Sequence, residues 1–268
     1  HFENSGRTSN KGVELTVETR NIVKPKFSWS TSLTLSHNKQ MVEDIGSEDF
    51  VSAMNSPGNS QYMMYGYVKG RPLNALWGFK YGGTWKNAEE RAENKITKTY
   101  VSPSNSDGGP RYYDINHDGV MSKEDLIYQG NADPYLYGGL QNTFYIYGLK
   151  VGVYFAYSLG GKIYNYSEIY MAGSQFSNQY RYMLDAWHPV RNPDSDIPRA
   201  GAKSDAALPS DFMIHDASYL RLKNVTLSYT FDLRKKCSWL KDLTLSVSGE
   251  NLYLWKKYNG FDPDVSSE

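Results

Sequence analysis

Between Phe27 and Ser36 the chain alternates without a break. Phe27, Trp29, Thr31, Leu33 and Leu35 fall on one side, and Ser28, Ser30, Ser32, Thr34 and Ser36 on the other. A strand sends successive side chains to opposite faces, so this stretch is predicted to be a β-strand with one apolar and one small, polar face. The pattern recurs at Val13, Leu15 and Val17 against Glu14, Thr16 and Glu18. A link over residues 21–26, containing Pro25, makes these two stretches a hairpin. Residues 141–147 set Thr143, Tyr145 and Tyr147 against Phe144 and Ile146. Val151, Val153, Phe155, Tyr157 and Leu159 share one face of the next stretch, and Gly148 marks the tight turn between the two. Val225, Leu227, Tyr229 and Phe231 repeat the rule, as do Leu243, Leu245 and Val247. Helical periodicity is nearly absent, so the fold class is all-β.

Long polar segments separate these hairpins, from residue 37 to about 134 and from 160 to about 216. A compact globule rarely tolerates loops of that length. A transmembrane β-barrel requires them at one end and short turns at the other, with strands of about ten residues. The 23 Tyr and 6 Trp carry an apolar body and a polar tip, which suits a membrane interface or a sugar or peptide surface. A soluble β-sandwich alternates in the same way, with the apolar face in a core. Loop asymmetry and tyrosine content favour the barrel. So few strands cannot close a water-filled barrel, so the barrel reading makes the chain part of something larger. The opening His1-Phe2-Glu3-Asn4, without initiator Met, basic n-region or apolar h-region, reads as an internal cut. If the turns near residues 21–26 and 147–150 lie on one side, any further spanning strands between residues 36 and 141 come in pairs. Residues 76–81 read as a strand that either has such a partner or belongs to a hairpin in the loop.

Lys plus Arg and Asp plus Glu both number 29, which excludes bulk phosphate binding and so a nucleic-acid partner. The single cysteine, Cys237, excludes a disulfide framework and a cysteine-based zinc site within the chain.

One segment carries specific chemistry. Residues 114–125 place Asp114, Asn116, Asp118, Ser122 and Asp125 at positions 1, 3, 5, 9 and 12 of a calcium-type loop, with Gly119 at position 6. A hard cation takes six to eight oxygens, and this spacing turns successive oxygens inward. Val120 would add its carbonyl. Asp125 stands where a bidentate Glu is usual, and Met121 and Leu126 would anchor the loop. The expected cofactor is a structural Ca²⁺; the plain alternative is an Asp/Asn-rich turn without metal.

Nothing nominates an enzyme. His1, His37, His117, His188 and His215 are scattered through loops, and His215-Asp216 has no accompanying serine elbow. Gly160-Gly161 reads as a turn. Glu89-Glu90-Arg91 and Arg234-Lys235-Lys236 read as solvated charge, and Cys237 as a small filler. No spacing nominates the carboxylate pair of a glycosidase.

The segment Asp216-Ala217-Ser218-Tyr219-Leu220-Arg221-Leu222-Lys223-Asn224-Val225-Thr226-Leu227-Ser228-Tyr229-Thr230 resembles the signature strand of the SusC/RagA family. Ser248-Gly249-Glu250-Asn251-Leu252-Tyr253 and Lys257-Tyr258-Asn259-Gly260-Phe261-Asp262-Pro263-Asp264-Val265 continue the likeness. Asn10-Lys11-Gly12-Val13-Glu14-Leu15, the Asp114–Asp118 acidic loop, Tyr135-Leu136-Tyr137-Gly138-Gly139 and Gly160-Gly161-Lys162-Ile163-Tyr164-Asn165 fit in the same order. The resemblance implies TonB-dependent outer-membrane transporters with a 22-stranded barrel and an N-terminal plug. It implies a SusD-type lipoprotein lid, energy from the TonB complex, and import of oligosaccharides or peptides. Residues 1–268 would be the C-terminal part of the barrel, with plug, early strands and last strand absent. The expected whole is a partial transmembrane antiparallel β-barrel in contact with membrane lipid, with long extracellular loops. The alternative function is a secreted, Ca²⁺-stabilised β-rich domain that binds glycans.

Overall fold

The structure is a computed structural model, and it describes residues 6–46, 51–52, 66–93, 98–99, 106–165, 167–168, 178–200, 208–234 and 239–264. Six long strands form one antiparallel sheet in chain order: β1 (Arg7–Lys24), β2 (Phe27–Asp44), β3 (Leu136–Ile146), β4 (Leu149–Leu159), β5 (Tyr219–Asp232) and β6 (Asp242–Lys256). All the short connections lie at one end. Pro25 and Lys26 join β1 to β2. Tyr147 (φ 50°) and Gly148 (φ 91°) join β3 to β4, and the paired positive φ values are those of a type I′ turn. Between β5 and β6, Leu233 donates its amide to the Lys241 carbonyl at 2.8 Å. Lys235, Lys236 and Cys237 lie outside the described residues.

The first hairpin is longer than its alternation suggests. β1 continues to Lys24, so the turn is shorter than the predicted 21–26 link. β2 runs on past Ser36 to Asp44 through a polar stretch that carries no two-residue signal. β2 pairs directly with β3, so no spanning strand intervenes between them in the sheet. Residues 76–81 belong to the loops: Ala75–Gly78 pairs with Ile127–Asn131, and Tyr81–Thr84 with Pro110–Tyr112.

Strand register sorts the side chains into rows. Phe27, Ile146, Leu149, Tyr229 and Leu245 stand opposite one another in succession, and so do Trp29, Phe144, Val151, Leu227 and Val247. Leu33, Leu140, Phe155, Leu222 and Tyr253 form a further row of the same face. The intervening face carries Ser28, Tyr145, Lys150, Ser228 and Ser246, then Ser30, Thr143, Gly152, Thr226 and Ser248. A bulge at Lys223 keeps the faces in phase. Without the extra residue, Leu220 and Leu222 would join the polar face. A polar cluster interrupts the apolar face: the Asn142 side-chain oxygen accepts from the Trp29 indole (2.9 Å) and the Thr31 hydroxyl (2.8 Å), and the Asn21 side-chain amide donates to Thr31 Oγ1 at 2.7 Å.

Among the described residues, side chains of this apolar face stand open. Val13 is 69% exposed and Val247 74% exposed. Among the described residues, Val42 near the end of β2 is the one buried apolar side chain within the six strands. A sandwich would have buried the face in a protein core. A barrel turns it to lipid and the polar face to the lumen, and the sheet is a partial barrel wall of this kind.

The second unit comprises residues 41–132 and 163–215 together with the first nine. It has the reverse construction. Phe79, Tyr112, Met121 and Leu208 are fully or nearly fully buried, with Tyr81 and Leu126 packed against them. Tyr164 and Met213 form a smaller cluster with Phe212 and Ile214. These long loops are therefore a folded body with an ordinary apolar core.

Candidate functional site

Two places carry polar chemistry: the luminal face of the wall and the acidic loop. On the wall, three adjacent strands enclose a concavity of about 380 Å³. Glu18 and Arg20 of β1, Ser30 and Ser32 of β2, and Gln141 and Thr143 of β3 line it. All six project to the polar face, because alternation gives each strand every second residue. Further along the same face, Ser228 donates to Ser246 at 2.8 Å, and the Thr230 and Thr244 hydroxyls lie 2.9 Å apart. The surface offers hydroxyls and an amide, with one charge of each sign.

In the acidic loop, Gly119 takes φ 79° and His117 φ 60°, so the chain turns sharply where the spacing predicts it. Asp114 accepts the His117 amide on Oδ1 (2.7 Å) and the Gly119 amide on Oδ2 (2.8 Å). Asn116 Oδ1 accepts from the Asp118 amide (3.1 Å), and Asp118 Oδ1 from the Val120 amide (2.7 Å). Ser122 caps the short helix Lys123–Asp125 through the Glu124 amide. Asp125 is fully buried, and its two oxygens accept the Ile115 and Ser122 amides, each at 2.8 Å. Met121 is 2% exposed in the loop-body core, and Leu126 packs beside it, so both serve as anchors. The structure thus brings the predicted residues together on one tight loop, with their oxygens turned to backbone amides. Among the described residues, no three His, Cys, Asp or Glu side chains converge as a metal site. The donor chemistry suits a hard cation, and the amides close the loop without one.

Other polar residues singled out in the sequence have partners. His188 Nδ1 accepts the Val190 and Arg191 amides, and His215 Nε2 lies 3.0 Å from Glu168 Oε2. Gly160 takes φ 87° and donates its amide to Ser218 Oγ, as a turn residue does. Glu89-Glu90-Arg91 differs from the solvated run predicted. It lies in a short helix, Ala88–Ala92, capped by Asn87, and Arg91 pairs with Asp107. Arg234 pairs with its neighbour Asp232 at 2.7 Å. Burial pushes the Tyr81 hydroxyl far above its ordinary value, so it remains a neutral donor to the Asp196 carbonyl.

Sequence reading missed Arg221 as an anchor. Its guanidinium is bound by Asp262 and Asp264, residues too distant in sequence for any local pattern to connect. The usable signal is a long cation on the polar face of a strand, followed 41 and 43 residues later by the carboxylates Asp262 and Asp264.

No family model matches the chain. TonB-dependent receptor P26 of Formosa agariphila is 32% identical over 274 residues, covering 99% of this chain and 26% of that protein. TonB-dependent receptor P3 of the same organism is 28% identical, over 99% of this chain and 26% of that protein. TonB-dependent receptor SusC of Bacteroides thetaiotaomicron is 25% identical, over 99% and 25%. The chain therefore spans about a quarter of the length of these curated relatives. A solved structure of the RagAB peptide transporter superposes with a TM-score of 0.73 at 20% identity, covering 97% of this chain and 27% of that one. That likeness concerns the fold.

Proposed function

The chain belongs to the TonB-dependent receptors, as a barrel segment of the SusC/RagA kind, and from that premise we propose that it is wall and outer loop of an outer-membrane importer. The observation that carries the reading is the uncovered apolar face, which runs in paired rows through β2 to β6 and is backed by a polar face of hydroxyls. Such a wall guides a polar solute past lipid. The luminal Ser, Thr and Gln side chains give many weak hydrogen bonds and no deep pocket. A path needs that balance, because a solute held tightly at one station does not leave it.

The solute is an oligosaccharide on this reading, delivered by a surface lipoprotein of the SusD type that closes over the loops. Energy would reach the assembled protein through the TonB complex. The wall itself breaks no bonds. Cysteine labelling tests the premise in intact outer membranes. Ser30→Cys is expected to react with a water-soluble maleimide, and Leu33→Cys with a lipid-soluble one alone. Reaction of Leu33→Cys from water, in a protein recovered from the soluble fraction, would favour the secreted glycan-binding domain. Deleting the gene for the full-length protein should abolish uptake of labelled oligosaccharide.

We also infer that the 114–125 loop takes Ca²⁺ as a second means of closure. Asp114, Asn116, Asp118 and Ser122, with the Val120 carbonyl, would supply oxygens, and Asp125 closes the loop beneath them. The ion would neutralise the adjacent carboxylates and stiffen an outer loop. Its support is the spacing of oxygens and the sharp turn at Gly119.

A further inference from the structure

Glycine follows an aspartate or an asparagine three times among the described residues, at Asp107-Gly108, Asp118-Gly119 and Asn259-Gly260. Such a pair can react with itself. The glycine amide nitrogen closes on the preceding side-chain carbonyl carbon, and with no Cβ on the glycine nothing hinders the approach. In two of the three pairs the reacting groups are engaged. Gly108 donates its amide to the Trp85 carbonyl at 2.7 Å, and Asp107 pairs with Arg91. Gly119 donates to Asp114 Oδ2 at 2.8 Å, and Asp118 Oδ1 accepts the Val120 amide at 2.7 Å. The third pair differs. Asn259 is exposed and lies outside helix and strand, and neither its side chain nor the Gly260 amide has a hydrogen-bond partner among the described residues. Its side chain is also a neutral amide, which accepts the attack more readily than an ionised carboxylate.

The surroundings hold the labile sequence in place. A Cβ on Gly260 would stand 2.2 Å from the Tyr258 ring. Tyr258 is only 7% exposed, with the Lys256 ammonium 5.3 Å from its ring centroid, and a buried ring withdraws only by breaking its packing. Packing therefore requires glycine at this position, whatever residue precedes it. The chain is tied on both sides of the pair. Lys256 donates to the Gly260 and Phe261 carbonyls. Arg221, 8% exposed at its side chain, holds Asp262 by two bonds of 2.8 and 2.6 Å and reaches Asp264 at 3.3 Å. None of these ties falls on the Asn259 side chain or on the Gly260 nitrogen.

We propose that Asn259-Gly260 is a site of spontaneous deamidation. The Gly260 nitrogen attacks Asn259 Cγ and gives up its proton to water. The Cγ–Nδ2 bond breaks, and ammonia leaves behind a five-membered succinimide. Water then opens that ring at either carbonyl, giving aspartate or isoaspartate. No cofactor, oxidant or partner is needed, so the inference stands apart from what the assembled protein imports. Either product adds a carboxylate to the segment 257–264. Isoaspartate also routes the backbone through the side chain and lengthens it by a methylene. Between the buried Tyr258 and the clamped Asp262, a longer chain must bow outward and loosen the ties. Slow chemistry at one residue is thereby converted into release of the whole segment.

The test ages the full-length receptor in detergent at mildly alkaline pH, beside a synthetic peptide of residues 256–264. Digestion and mass spectrometry then separate the asparagine, aspartate and isoaspartate forms. Asn259 is expected to be lost from the folded receptor at a rate within about tenfold of that in the peptide, with isoaspartate among the products and none at Asp107 or Asp118. The aged receptor should lose protease resistance over residues 257–264, and Asn259→Gln should keep it, because the longer side chain must close a less favourable ring. Survival of Asn259 in the receptor while the peptide is consumed overturns the proposal. Aspartate without isoaspartate overturns the succinimide route. Isoaspartate at Asp107 or Asp118 ahead of residue 259 overturns the role given to the amide contacts. Equal loss of resistance in aged Asn259→Gln overturns the link to release of the segment.

Discussion

At the scale of single residues, the contrast between Arg221 and Asp262 shows how a buried cation shapes its surroundings. Removing the carboxylate leaves a guanidinium that is desolvated and short of partners, whereas removing the guanidinium leaves carboxylates that reach water. Asp262→Asn should therefore destabilise the 257–264 segment more than Arg221→Met, by about 1–2 kcal/mol after allowance for the exposure of Asp262. Limited proteolysis of that segment reads the difference. The hydrogen bonds from Arg221 hold the Asp262 carboxyl below its ordinary value of 3.8. A lowered folded pKa gives stability that is full above the ordinary value and disappears as pH falls through the lowered one. Proteolysis of the segment should therefore be constant from neutral pH down to about 5 and rise only below 3.8. A rise that begins near pH 6 would point to a different titrating group. The acidic loop has its own residue-scale test. Calcium titration should raise the melting temperature of the full-length protein, and Asp114→Ala should remove the increment. A melting temperature indifferent to chelator would leave the amide contacts as the whole of the loop's closure. The clustering of these residues was legible in sequence because their spacing is local. The bonds they make in the structure, oxygen to amide, were not, because oxygen spacing alone does not say whether a cation or a backbone N–H receives it.

At the scale of elements, alternation located all six wall strands and their polar and apolar faces. It placed their ends poorly. β2 extends through His37–Asp44 because pairing partners continue there, and ladder hydrogen bonds need no particular side chains. The bulge at Lys223 was invisible for a related reason: it shifts the phase of a pattern by one residue, and a phase shift looks like the end of a strand. Face identity gives a clear prediction. Leu33→Lys places an ammonium on the lipid face and should cost about 2–4 kcal/mol near the bilayer midplane, whereas Ser32→Lys, one residue away and luminal, should cost little. Denaturant titration of the full-length protein in liposomes separates the two. Equal tolerance at both positions would mean that the faces had been assigned to the wrong solvents.

For the whole molecule, the share of apolar surface in water is the quantity to measure. The wall leaves apolar side chains uncovered on one face, and β1 and β6 are open sheet edges. Edges of this kind pair with whatever strand they meet. Residues 1–268 produced alone should therefore sediment as aggregate in water and stay dispersed only in detergent. A monodisperse aqueous monomer would return the sandwich to consideration. That the long loops form a body with its own core was not legible. Its core residues come from segments far apart in the chain, Phe79 and Tyr112 from one and Leu208 from another, and no short window contains the contact.

The two units are finished by different solvents. The loop body closes its own core on Phe79, Tyr112, Met121 and Leu208 and so needs water alone, whereas the wall leaves Val13 and Val247 open and needs a lipid or detergent phase to cover them. One chain therefore carries two folding requirements, and a change of detergent that collapses the wall should leave the loop core standing.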